Sequence, residues 1–61
     1  MKFDLRQARN YAGFSQKGIA KEINISTGAY QNYENGKRKM RVDVAKRFAN
    51  VVGIPLEQIV F

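Results

Sequence analysis

A chain of 61 residues makes a single small domain (residues 1–61), and 44% hydrophobic residues are too many for a disordered tail. With no cysteine and no histidine there are no disulfide staples and no usual zinc ligands, and the five carboxylates are scattered, so neither a cofactor nor an enzyme is expected. The net charge of +6 and a pI near 10.1 point to a polyanionic partner.

Leu5, Ala8 and Ala12 recur at helical spacing, with Arg6, Arg9 and Asn10 between them. This predicts a first helix from about Asp4 to Ala12, with Asp4 at its positive end and Gly13 as its left-handed stop. Ser15 caps a second helix with Ile19, Ala20 and Ile23 on one face. Phe14 and Ile19 occupy the positions of a hydrophobic staple around that cap. Asn24 tolerates positive φ and closes the helix. Ser26 caps a third, whose inward stripe is Tyr30 and Tyr33, each ring buried with a wet hydroxyl. Asn35-Gly36 stops it. Only Asn24 and Ile25 separate the second helix from the cap of the third, so the turn must be sharp.

A basic loop follows. Lys37, Arg38, Lys39, Arg41, Lys46 and Arg47 fall within residues 37–47, opposed there only by Asp43. Such a run is either a solvated face or a footprint for phosphates. Val42, Ala45, Ala49 and Val52, with Phe48 beside them, predict a fourth helix ending at Gly53. Pro55 opens a short fifth turn from Leu56 to Ile59. No apolar run approaches the roughly 18 residues of a membrane span, and no signal peptide is evident, so a cytoplasmic location is expected. The expected fold is all-α: a bundle of five short helices with a helix-turn-helix at 16–35.

The outward stripe of the third helix is Thr27, Gly28, Gln31 and Asn32. Gln and Asn can pair bidentately with adenine, and a Thr methyl can touch the thymine methyl. The alternative is an ordinary solvated helix face. Ser15 and Gln16 stand at a helix N-terminus, where free N–H groups suit a DNA phosphate.

Taken in register, Arg9, Phe14-Ser15-Gln16, Ile19-Ala20, Ile25-Ser26, Tyr33-Glu34-Asn35-Gly36-Lys37, and Ala49 with Val52-Gly53-Ile54 resemble the Cro/repressor-type (Xre) helix-turn-helix family from Leu5 to Ile59. The resemblance implies a lambda-repressor-like fold and a phage-like, sequence-specific double-stranded DNA-binding transcriptional repressor. It also implies phosphate contacts at Gln16, Asn35, Lys37 and Lys39, and a partly buried ion pair between Arg9 and Glu34. Arg41, at the end of the basic run, is a further candidate to contact phosphate or to reach a narrow minor groove. The chain departs from the family pattern at Gly18, Asn24, Gly28, Tyr30 and Met40-Arg41. Gly28 lacks the base-reading side chain that many relatives carry there.

One helix-turn-helix reads only a few base pairs, so two copies on half-sites one helical turn apart, on a pseudo-palindromic operator, are expected. Pro55, Leu56, Ile59, Val60 and Phe61 are the candidate homodimer surface, unless they simply close the monomer's core. Other readings are the antitoxin of a toxin–antitoxin pair, or an interaction module that kept the fold without DNA binding. No small-molecule ligand and no membrane partner is indicated.

Overall fold

A computed structural model describes residues 2–61 of the chain. Asp4 caps the first helix, α1 (Leu5–Ala12), and is not its first residue. Asp4 Oδ1 accepts from the Gln7 amide at 2.7 Å while Gln7 Oε1 accepts from the Asp4 amide at 3.0 Å, a reciprocal capping box. Gly13 ends α1 at φ +82°, where a side chain would be strained.

Helix α2 (Gln16–Glu22) starts at Ser15, whose Oγ accepts from the Gly18 amide at 2.9 Å. Helix α3 (Thr27–Glu34) starts at Ser26, whose Oγ accepts from the Ala29 amide at 3.0 Å. Each hydroxyl satisfies one donor that the first helical turn leaves free. Asn24, at φ +61°, is the pivot between the two helices, and the Ile25 amide returns to Ala20 O at 2.9 Å.

Helix α4 (Val42–Val52) differs from the expected stripe at its first turn. Val44 is buried with Ala45, Phe48, Ala49 and Val52, whereas Val42 is 69% exposed. At about 100° per residue the buried five share one arc, and Val42 lies at its edge in the uncapped first turn, beyond the reach of the core.

The fifth element is a single 3-10 turn, Leu56–Gln58, with Pro55 as its cap and not its first residue. Beyond it, β2 (Ile59–Val60) pairs in parallel with β1 (Phe3–Asp4), Phe3 opposite Ile59 and Asp4 opposite Val60. Among the described residues there are therefore four α-helices where five short helices were expected, and the all-α class stands. Two-residue strands carry no periodic signal, which is why this clasp was not foreseen.

The core lies between the helices. Ile19, Ile23, Tyr30 and Phe48 are its largest fully buried side chains, with Leu5, Val44, Val52, Ile54 and Ile59 around them. The Tyr30 and Phe48 rings stack at 6.2 Å. Each such side chain contributes about 1.5–3 kcal/mol on burial. Among the described residues no helix is long and apolar enough to cross a membrane.

Candidate nucleic-acid interface

Because α2 and α3 are joined by a tight turn and share the Ile19, Ile23 and Tyr30 core, the outer stripe of α3 has one orientation relative to the N-terminus of α2. On that stripe Gly28 and Gln31 are exposed, and Thr27 and Asn32 are half-buried. A Cβ built at Gly28 meets nothing within 4 Å, so the helix is bare there. Ser15 is exposed and Gln16 half-buried at the start of α2.

The basic loop is tied to α3. Gly36, at φ +79°, turns the chain so that the amides of Lys37 and Arg38 both point to Asn32 O, at 2.9 and 3.3 Å. Asn35, Lys37, Lys39 and Arg41 are all exposed, which leaves their side chains free for phosphates. Arg41 also approaches Asp43 at 3.6 Å, but both are largely exposed and such a contact is worth little.

Under this surface sits a charge cluster larger than the expected pair. Arg9 Nε donates to Glu34 Oε2 at 2.9 Å, and Arg9 Nη1 donates to Phe14 O at 2.9 Å, tying α1 to the turn before α2. Three further donors reach Glu34 Oε1: Arg6 Nε at 3.2 Å, Gln16 Nε2 at 3.1 Å and Arg9 Nη2 at 3.3 Å. The Glu34 side chain is only 1% exposed. Burial by itself raises its carboxyl, but hydrogen bonds led by that from Arg9 outweigh this and hold it down at about 2. The same hydrogen bond raises the Arg9 guanidinium above its ordinary value.

Neither Arg6 nor Gln16 was expected beside Glu34. Arg6 stands three residues before Arg9, so helical spacing on α1 was a usable signal for the first. Nothing local announces the second. Gln31 joins the cluster too, its Nε2 donating to Gln16 Oε1 at 3.2 Å.

Tyr30 corrects another expectation. Its ring and its hydroxyl are both buried, and the oxygen lacks a hydrogen-bond partner beside the Arg9–Glu34 pair. Burial first, and then the neighbouring carboxylate, push its ionisation far up, so it stays neutral. Tyr33 is half-buried against the core.

At the opposite end, the proposed dimer surface loses Ile59, which is 6% exposed and belongs to the core. Pro55 is exposed, and Leu56, Val60 and Phe61 are 38%, 54% and 40% exposed. Phe61 also meets Phe48 edge-on at 6.5 Å, so it partly closes the monomer.

A protein-family model described as "Helix-turn-helix" matches residues 5–59, nearly the whole chain. No curated protein and no solved structure matches it at a significant level.

Proposed function

The chain belongs to the Cro/repressor-type helix-turn-helix family of DNA-binding regulators, and on that premise we propose that it is a sequence-specific repressor that binds a pseudo-palindromic duplex operator as a dimer. The observation that carries this reading is the anchoring of the basic loop to α3 through Asn32 O. Phosphate-binding cations and base-facing side chains are thereby held on one rigid unit. Phosphate contacts set the register, and base contacts then read sequence.

In this reading Thr27, Gln31 and Asn32 read base edges, with Gly28 allowing close approach. Ser15, Gln16, Asn35, Lys37 and Lys39 hold phosphates, and Arg41 reaches the minor groove. Helix α3 carries no lysine or arginine, so its direct readout favours adenine and thymine over guanine.

Selection from random duplexes tests the reading. Wild type is expected to enrich a two-fold-related site. Gln31→Ala is expected to lose about 1–3 kcal/mol on that site while keeping its non-specific affinity. Identical selected sites for wild type and for alanine variants at Thr27, Gln31 and Asn32 would show that α3 is not the reader. Equal competition by heparin and by the selected duplex would favour a nonspecific polyanion binder.

A further inference from the structure

The side chains of Glu34, Gln16 and Gln31 form a hydrogen-bonded chain from the interior to the outer face of α3. Its root is fixed: the Glu34 carboxylate is buried and held by Arg9 and Arg6. An ionised carboxylate can only accept. Gln16 must therefore turn its NH2 toward Glu34, at 3.1 Å, and its carbonyl oxygen away. That oxygen is also only an acceptor, so it selects the NH2 of Gln31, at 3.2 Å. The direction of each amide follows from the one beneath it.

A glutamine alone on a helix surface is a rotor. It can present its oxygen and nitrogen either way round, or offer both amide hydrogens. In this chain one hydrogen of Gln31 is committed to Gln16, which leaves one N–H and one carbonyl oxygen. Adenine shows an acceptor (N7) beside a donor (N6–H) in the major groove, whereas guanine shows two acceptors (N7 and O6). The remaining pair on Gln31 complements adenine, and guanine would need the hydrogen already in use.

We infer that Glu34, acting through Gln16, holds the Gln31 amide in the orientation that accepts adenine and rejects guanine. This rests on the reading of α3 as the base-reading helix. Gln16 and Glu34 are positioning residues here: the first is half-buried and the second has no exposed polar tip to offer a base. Orientation before binding also spares the ordering cost of a flexible side chain on contact.

The test uses Gln16→Met, which keeps length and removes both donor and acceptor while leaving Arg9, Arg6 and Glu34 in place. Gln16→Ala is the second variant, with the same expectation. In the free protein, nitrogen-15 relaxation of the Gln31 side-chain amide is expected to show a restricted NH2 in wild type and a mobile one in either variant. In duplex selection, the position lost in Gln31→Ala is expected to change from adenine to mixed purine in the Gln16 variants. Discrimination there should fall by about five-fold or more. Combining Gln16→Met with Gln31→Ala should change that position no further than Gln31→Ala does.

Equal mobility of the Gln31 amide with and without Gln16 would overturn the relay without touching the reading of α3. So would a Gln16→Met protein that binds every duplex more weakly but keeps its adenine preference, because Gln16 would then be a phosphate contact alone. A Gln31→Ala variant that selects the wild-type site would overturn the base-reading role itself, and the relay with it.

Discussion

Glu34 shows how a single acidic residue can sit beneath a surface meant for a polyanion. Its charge is compensated by Arg9, which is 13% exposed, and by Arg6, which is 63% exposed. The two arginines are not equivalent. Arg6 can turn to water if Glu34 is removed, whereas Arg9 would be left shielded and unpaired. Arg9→Ala or Glu34→Ala is therefore expected to cost about 3 kcal/mol in urea melts, with the double mutant costing less than the two together. Arg6→Ala should cost under about 1 kcal/mol. The folded carboxyl is held at about 2 against an ordinary value of 4.5. Its stabilising contribution is then fully present above pH 4.5 and is lost as pH falls toward 2. Stability of wild type should drop across that window more steeply than stability of Glu34→Gln. Tyr30 has the opposite problem, a buried hydroxyl without a partner. Tyr30→Phe is expected to leave stability unchanged or raise it by about 1 kcal/mol, read from the same melts. A loss above about 1 kcal/mol would mean that the oxygen is satisfied in solution.

At the scale of elements, the helix-turn-helix is built from local chemistry: two serine caps, an asparagine at positive φ and a four-residue connection, 23–26, that includes one of the caps. Its two helices carry no net charge, Lys17 and Lys21 being offset by Glu22 and Glu34, and the loop after Gly36 adds Lys37, Arg38, Lys39 and Arg41. Because Lys37 and Lys39 are exposed and follow directly on α3, each is expected to neutralise one phosphate. Log K should then fall with log salt by about 0.9 per contact, and alanine at either lysine should flatten that slope by up to about one unit. Specific and non-specific duplexes should lose affinity alike. Binding that does not change between low and physiological salt would remove the phosphate contacts from the account. Helix α4 contributes its buried stripe to the core, while the exposed Val42 at its start has no assigned role.

The whole molecule is closed by the parallel pair of β1 and β2, which brings the two ends of the described chain together. Ile59 faces inward there and Val60 outward, the alternation that any strand imposes. What remains for a dimer contact is Pro55, Leu56, Val60 and part of Phe61. Val60→Glu is therefore the cleaner probe, because Phe61 also packs on Phe48. It should leave helicity intact while weakening self-association in sedimentation and cooperative operator binding. Monomeric wild type at high concentration, with one protein per operator, would falsify the dimer.

By itself the sequence determined the four helices, the serine caps of α2 and α3, the glycine and asparagine stops and the position of the helix-turn-helix. All of these depend on residues within a turn or two of each other. The stripe of α3 and the basic loop were legible for the same reason, since helical spacing states which side chains share a face. The pairing of Arg9 with Glu34 came from family resemblance, because no local spacing relates two residues on different helices. Only the tertiary structure decided what lies across the packed helices: Arg6 and Gln16 on Glu34, Gln31 on Gln16, the burial of the Tyr30 hydroxyl, and the choice of Val44 over Val42. The strand pair at the termini belongs with them. Each depends on how α1, α3, α4 and the last residues meet around Ile19, Ile23 and Phe48, and a hydrogen bond between residues 28 apart leaves no trace in periodicity.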